Sequence, residues 1–166
     1  MTCVGVSGSW RYAPSGLPDA VHREVATALK AGKSIVTGGA LGVDYWATET
    51  ALSVDPARLK VILPTSLATY AAHYQRRATE EVISAQQAED LIRQLEAVAQ
   101  AGGLVEHPER PQVVDVTTYY LRNQDIVDVA DELLAFQVNG SSGTQDTVDR
   151  ARRKGIPVMV FTYWAE

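Results

Sequence analysis

A loop of small and polar residues follows an apolar run near the end of this chain of 166 residues. The run is LAFQV (134–138), and the loop is NGSSGT (139–144). A basic amphipathic stretch follows at once and predicts a helix. Glycines let the backbone approach a ligand closely, and a helix N-terminus offers unpaired N–H groups with a partial positive charge. The loop is therefore a candidate site for an anion such as phosphate.

Two earlier loops have the same character. SGSWR (7–11) follows the first apolar run, and GGALGVD (38–44) follows the second. The chain has neither the G-x-G-x-x-G spacing of dinucleotide-binding folds nor a G-x-x-x-x-G-K-[ST] phosphate loop. Asp44 falls in the first turn of a predicted helix, where its carboxylate would repel a phosphate. A ribose hydroxyl suits Asp44 better.

Short apolar runs alternate with amphipathic stretches of helical length along the whole chain. The runs predict strands at 2–8, 34–39, 59–64, 132–138 and 157–163. The amphipathic stretches predict helices at 17–33, 43–53, 79–101, 117–130 and 144–155. This order predicts one α/β domain over residues 1–166, a Rossmann-like, doubly wound parallel sheet with helices on both faces. Such sheets bind ligands outside the carboxyl ends of their strands, so we expect the three loops at one edge.

The segment 65–112 interrupts this alternation. It contains the long predicted helix and then a proline-rich loop with a short strand at Leu104–Glu106. In one interpretation the helix covers the sheet or forms a contact between two copies of the chain. In the other, residues 65–77 form a lid, with Arg76 or Arg77 reaching the ligand. We expect a homodimer or a higher homo-oligomer held through the helix at 79–101.

Composition excludes several classes of site. The net charge of −5 predicts weak, salt-sensitive nucleic-acid binding at best. No run reaches the roughly 18 apolar residues of a membrane helix, and the first residues do not resemble a signal peptide. One cysteine and three scattered histidines lack the spacing of metal ligands. We expect a cytoplasmic protein with no metal and no cofactor.

Four segments, in order along the chain, resemble one family. They are VGVSGSWR (4–11), IVTGGALGVDYWATETAL (35–52), YLRNQDIVDVADELLAF (120–136) and SSGTQDTVDRARRKGIPVMVF (141–161). They are similar to the glycine-rich, Arg-Asn and Ser/Gly-Thr segments of the DNA-processing protein A family. The resemblance places the chain in the SLOG superfamily of Rossmann-like proteins. That superfamily also contains the "lonely guy" phosphoribohydrolases, the lysine-decarboxylase-like proteins.

The chain departs from both relatives. DNA-processing proteins hold single-stranded DNA on a basic surface, and this chain is acidic. On that interpretation its phosphate contacts would be Arg76, Arg77, Arg150, Arg152 and Arg153. The phosphoribohydrolase motif P-G-G-x-G-T-x-x-E ends in a catalytic Glu, and Thr147 occupies that position here. Asp146 is one residue away and would face elsewhere on the helix.

We therefore expect the protein to bind a nucleotide or a nucleotide-derived ligand as a sensor, and we name no catalytic residue. Two alternatives stay open: an N-glycosidic hydrolase of nucleoside monophosphates, and single-stranded DNA binding. The hydroxyls of Ser142 and Thr144, with Ser9 and Arg11, would hold the phosphate. Arg122 and Asn123 would fix the sugar or the remote end. The complete candidate site is Ser7, Gly8, Ser9, Arg11, Gly38, Gly39, Gly42, Asp44, Arg122, Asn123, Asn139, Gly140, Ser141, Ser142, Gly143 and Thr144.

Overall fold

The computed structural model describes residues 1–166, and it contains six strands and six α-helices. The strands are β1 (Cys3–Gly8), β2 (Ser34–Gly38), β3 (Leu59–Ile62), β4 (Leu104–Val105), β5 (Glu132–Val138) and β6 (Val158–Tyr163). The helices are α1 (Leu17–Lys30), α2 (Val43–Val54), α3 (Leu67–Thr79), α4 (Ala85–Gln100), α5 (Val116–Val129) and α6 (Ser142–Lys154). A short 3₁₀ turn, Pro56–Arg58, precedes β3.

All six strands form one parallel sheet in the order β4-β3-β2-β1-β5-β6. The chain moves outward from β1 to β4, crosses back to the other side of β1, and continues through β5 to β6. The order of the strands therefore reverses between β1 and β5, and this is the point where open α/β sheets bind ligands. The predicted Rossmann-like α/β fold is confirmed.

Helices cover both faces of the sheet. On one face, α1, α2 and α4 pack on a core that includes Val4, Val6 and Ile35. On the other face, α5 and α6 pack on smaller groups that include Val36 and Ala135. Side chains that alternate along each strand therefore reach opposite layers, which explains why the strands are almost continuously apolar.

The structure corrects the long helix predicted at 79–101. Only α4 occupies this range, residues 80–84 form the turn that joins α3 to α4, and α3 itself was not predicted as a helix. Ser84 is the N-cap residue of α4, and its side chain accepts a hydrogen bond from Gln87 N while the Gln87 side chain accepts one from Ser84 N. This reciprocal pair satisfies two backbone donors that a helix start leaves free. The other predicted elements agree with the structure to within three residues at each end.

Candidate functional site

A cleft of about 520 Å³ opens at the carboxyl ends of β1 and β5, where the strand order reverses. The loop after β1 and the first turn of α6 contribute to its wall, together with residues of α3 and α5. The cleft also reaches the start of α2. Ten residues of the sequence-predicted site line it: Ser7, Gly8, Ser9, Asp44, Arg122, Asn123, Ser141, Ser142, Gly143 and Thr144.

The first turn of α6 presents free backbone donors to the cleft. Ser141 is the N-cap residue, but its side chain accepts no hydrogen bond from a backbone N–H of the helix. The first turn contains no acidic residue. The Thr144 hydroxyl donates to Ser141 Oγ at 3.3 Å, which holds two hydroxyl oxygens side by side. Unpaired N–H groups, the positive end of the helix dipole and adjacent hydroxyls form a site suited to an anion.

Arg122, on α5, places a buried cation on the floor of the cleft. Its side chain is only 7% exposed. Nε donates to Asn123 Oδ1 at 3.2 Å, while Nη1 is buried and has no hydrogen-bond partner. Buried polar groups are almost always paired, and a missing partner costs about 1–3 kcal/mol, more for a charged group. The guanidinium of Arg122 therefore keeps a donor whose hydrogen-bonding capacity is unused inside the chain.

Asp44 lies close to this guanidinium and partly balances its charge. The carboxylate accepts hydrogen bonds from Thr37 Oγ1 at 3.0 Å and from Ala40 N at 3.3 Å. Burial raises the pKa of Asp44, and the positive charge of Arg122 opposes that rise. Burial likewise disfavours the charge on Arg122, but Asp44 raises the pKa of Arg122 above its ordinary value, so the guanidinium stays protonated.

The structure gives another role to three glycines of the sequence-predicted site. None of Gly38, Gly39 and Gly42 lines the cleft, because the chain itself fills the space beside each of them. A Cβ on Gly38 would collide with Arg122 Nη1 and Asp44 Oδ2. A Cβ on Gly39 would lie 2.5 Å from the Leu63 side chain. Gly42 has φ +73° and lies against the backbone of the loop after β1.

Three other predicted residues also lie outside the cleft. Arg11 is exposed and stacks on Trp10, with its guanidinium carbon 4.9 Å from the ring centroid. Asn139 exchanges two hydrogen bonds with the backbone of Ala165, and Gly140 continues the turn with φ +64°. Ser9 does line the cleft, but its Oγ accepts a hydrogen bond from Val138 N at 3.0 Å, which ties the loop after β1 to β5.

Behind the floor of the cleft, Asn123 and Arg150 both donate hydrogen bonds to Asp146, the first carboxylate on α6. Asn123 Nδ2 donates to Asp146 Oδ2 at 3.1 Å, and Arg150 Nε donates to the same oxygen at 2.8 Å. Thr147 is fully buried, and its hydroxyl donates to Gly143 O within the helix. Neither Asp146 nor Thr147 lines the cleft, so α6 supplies no free carboxylate to it.

Several residues that line the cleft were not part of the site predicted from the sequence. From α3 come His73, Tyr74 and Arg77, and from α5 come Tyr119 and Tyr120. The Tyr70 hydroxyl donates to Gly39 O at 3.0 Å and lies 3.2 Å from the Tyr74 hydroxyl, which anchors α3 at the edge of the sheet. The signal was present in the sequence as aromatic residues four positions apart. Of the two arginines that the lid interpretation of residues 65–77 allows at the ligand, Arg77 lines the cleft and Arg76 does not.

Two kinds of feature are absent from the structure. No group of three or more His, Cys, Asp or Glu side chains is arranged to hold a metal ion. No helix is both long and apolar enough to cross a membrane.

A model of the DNA recombination-mediator protein A family matches residues 1–166 of the chain. The chain belongs to this family. The match, together with the fold, confirms the resemblance to DNA-processing protein A and to the SLOG superfamily. No curated protein matches this member of the DNA recombination-mediator protein A family.

Solved structures share the fold of this family member at low sequence identity. DNA processing protein A from Helicobacter pylori, solved to describe its mode of binding single-stranded DNA, is 21% identical with a TM-score of 0.71. The match covers 96% of this chain and 64% of that chain, so this chain spans less than two thirds of its relative. DNA processing protein A from Streptococcus pneumoniae is 17% identical with a TM-score of 0.51, covering 95% of this chain and 58% of that one.

A protein described as binding the molybdenum cofactor also shares the fold. The molybdenum cofactor binding protein from Rippkaea orientalis is 16% identical with a TM-score of 0.58. The match covers 97% of this chain and 76% of that chain. At these identities the likenesses show a common architecture, and the ligand of this DNA recombination-mediator protein A family member has to be argued from its own cleft.

Proposed function

We propose that the cleft binds the phosphate of a nucleotide or a nucleotide-derived ligand, and that the protein acts as a sensor or binding protein. The observation that carries this proposal is the buried guanidinium of Arg122, whose Nη1 has no hydrogen-bond partner. The first turn of α6 supplies free N–H groups to the same cleft. A phosphate would accept from the part of the guanidinium that lines the cleft and from the helix, which balances the buried positive charge and places a negative charge at the positive end of α6.

The rest of the cleft suits the remainder of a nucleotide. Tyr119 and Tyr120 are half-buried in its wall, and Trp10 is 41% exposed at the loop after β1. Aromatic rings of this kind offer flat apolar surfaces on which a base stacks. Asp44, which the sequence suggested as the acceptor for a ribose hydroxyl, lies instead beside Arg122 on the floor and accepts hydrogen bonds from Thr37 and Ala40.

A thermal-shift screen of nucleotides tests the proposal. At about 100 times its Kd, a ligand of the folded state adds about 2.7 kcal/mol to the free energy of unfolding, so a specific binder is readily detected. Each hit is incubated with the protein and then analysed by chromatography. Recovery of the intact nucleotide supports the sensor. A panel in which no nucleotide raises the melting temperature would overturn the proposal.

Gly143 offers a matched pair of variants. Gly143→Asp adds a carboxylate to the first turn of α6, and nothing lies within 4 Å of the position of its Cβ. A negative charge there favours the helix but repels a phosphate. We therefore expect unchanged or higher thermal stability and nucleotide affinity at least about tenfold weaker. Gly143→Ala should retain the affinity. Equal nucleotide binding by both variants would place the ligand elsewhere.

Hydrolysis is the first alternative, and the same incubation detects it as free base and ribose 5-phosphate. The neutral hydroxyl of Thr147 stands where the related hydrolases have a Glu, and it lies outside the cleft. The carboxylates that line the cleft are Asp44, on its floor, and Asp115, the N-cap residue of α5. Both already accept backbone hydrogen bonds, which favours binding over catalysis.

Single-stranded DNA binding is the second alternative, and family membership is the observation that favours it. Of the five arginines that this interpretation requires, only Arg77 lines the cleft. Arg150 is paired with Asp146, at 2.8 Å, and with Gln124, at 2.9 Å. The basic residues therefore do not form one continuous track. We expect single strands to bind more weakly than the preferred nucleotide at physiological salt.

A further inference from the structure

The depth of Arg122 in the cleft limits the kind of phosphate that can reach it. The side chain is 7% exposed, whereas Ser142 and Gly143, at the start of α6, are exposed at the rim. A phosphate that accepts from both the guanidinium and the helix N-terminus therefore extends inward from the rim to the floor. The groups esterified to that phosphate have to point back towards the rim, unless the floor has a second opening.

The floor is closed around the guanidinium. Gly38 and Asp44 lie so close to Nη1 that there is no room even for a methyl group on Gly38. The Tyr119 ring lies on another side, with its centroid 5.3 Å from the guanidinium carbon. Tyr74, only 8% exposed, belongs to the same wall, and its hydroxyl lies 3.2 Å from that of Tyr70. No chain of atoms can pass beyond Arg122 without displacing these groups.

We infer that the cleft selects a terminal phosphate, a phosphomonoester, and rejects a phosphodiester whose chain continues on both sides. This inference rests on the proposed function and specifies its ligand class. A monoester presents three unsubstituted oxygens to Arg122 and α6, and its single ester substituent extends back towards the rim. A diester presents two such oxygens and has to carry two substituents out of a closed floor. The ligand is then a nucleoside monophosphate or the phosphorylated end of a strand.

Two pairs of compounds test this selection by calorimetry or thermal shift. Adenosine 5′-monophosphate is compared with the dinucleoside monophosphate of adenosine, which has one internal phosphate and no terminal one. A short single strand of mixed sequence is compared with the same strand bearing a 5′-phosphate or a 3′-phosphate. We expect at least a tenfold preference for the terminal phosphate within a pair, and its loss in Gly143→Asp.

The outcomes separate the inference from the proposed function. If a dinucleoside monophosphate or an unphosphorylated strand binds as tightly as its partner compound, and Gly143→Asp weakens both, the cleft binds phosphate but the terminal selection is wrong. If no nucleotide and no strand binds at all, the proposed function itself fails. A terminal preference that survives in Gly143→Asp also overturns the inference, because another surface then makes the selection.

Discussion

Gly38 lies behind the floor of the cleft and Gly143 lies at its rim, and a methyl group has opposite consequences at the two positions. At Gly38 it would collide with Arg122 Nη1 and Asp44 Oδ2. We expect Gly38→Ala to lower the free energy of unfolding by about 1–3 kcal/mol, since the pair has to move within a packed interior. Denaturant titration measures the change, and nucleotide affinity should fall with it.

Gly143→Ala is the control for that change. Nothing lies within 4 Å of the added Cβ, and the position is inside α6. Alanine is favoured over glycine within a helix by roughly 0.5–1 kcal/mol, so this variant should be more stable than the parent. If Gly38→Ala left stability and affinity unchanged, the close approach of Arg122 and Asp44 to the strand end would not be required.

His73, in the wall formed by α3, gives the protein a dependence on pH. Burial lowers the pKa of His73 from its ordinary value of 6.5, and the charges of Arg77 and Arg76 act in the same direction. The folded state therefore favours the neutral ring. Its contribution to stability is present above about pH 6.5 and is lost as the pH falls through the lowered pKa. We expect His73→Gln to lose less stability than the parent between about pH 7 and pH 5.

Thermal unfolding across that range checks the prediction. Arg77→Gln serves as a second variant, because it removes one of the charges that lower the pKa of His73. Its loss of stability in acid should lie between those of the parent and His73→Gln. A steeper acid loss in His73→Gln than in the parent would contradict the assignment.

The residue types predicted the chemistry of the site well, but they predicted less well which residues contact the cleft. The NGSSGT loop and the Arg-Asn pair were predicted as anion and sugar contacts, and the structure brings Arg122 and Ser142 to one cleft. Gly38 and Gly42 were expected to face a ligand, but they accommodate parts of the chain itself. A glycine in the sequence shows that another group can approach the backbone closely there. Only the folded structure shows whether that group is a ligand or another part of the chain.

The junction between α3 and α4 contains a residue in a backbone conformation that glycine prefers. Glu81 has φ +62°, and its N–H donates to Ala78 O at the end of α3. A left-handed conformation costs a residue with a Cβ about 1–2 kcal/mol. We expect Glu81→Gly to raise the free energy of unfolding by roughly 0.5–1 kcal/mol, after allowing for the greater freedom of glycine in the unfolded chain.

Glu80→Gly is the matched control at the neighbouring position. Glu80 has φ −78°, where a Cβ costs nothing, so glycine should lower stability there. Urea titration of the two variants decides between them. If both substitutions lowered stability to the same extent, the contacts of the Glu81 side chain would outweigh its backbone strain.

The same junction explains why one helix prediction was wrong while the strands were predicted closely. β5 was predicted at its observed bounds because a buried parallel strand is a short apolar run between polar loops. Residues 80–84 contain neither glycine nor proline, so the helical pattern appeared to continue through them. The break depends on Ser84 and Gln87 starting a new helix and on Ile83, which is 7% exposed, entering the core.

At the scale of the molecule, net charge limits association with nucleic acid. The chain has 15 basic and 20 acidic side chains, and only a few of the basic ones border the cleft. We expect single-stranded DNA to bind weakly and to be released by moderate salt. Fluorescence anisotropy over a salt series measures this. Nanomolar affinity at physiological salt would favour the DNA-binding alternative.

Self-association stays a prediction, and the structure changes its basis. The apolar side of α4 packs on the core of its own chain, and its outer side has polar pairs such as Glu89 with Arg93. The helix therefore does not need a second copy to cover its apolar side. We still expect a homodimer or a higher homo-oligomer, and light scattering at high micromolar concentration tests it. A monomer would remove the prediction.

The adjacency of β1 and β5 has a consequence for the order of events during synthesis. Cys3 and Asp131 are hydrogen-bonded across this seam although 128 positions separate them. Residues 1–130 leave the ribosome first, and during that time the central strand has one edge without a neighbour. The cleft lacks one wall until residues 141–144 have been made, because they are the part of it that follows β5. A ligand that requires the first turn of α6 therefore cannot assist the folding of the strands that are synthesised before it.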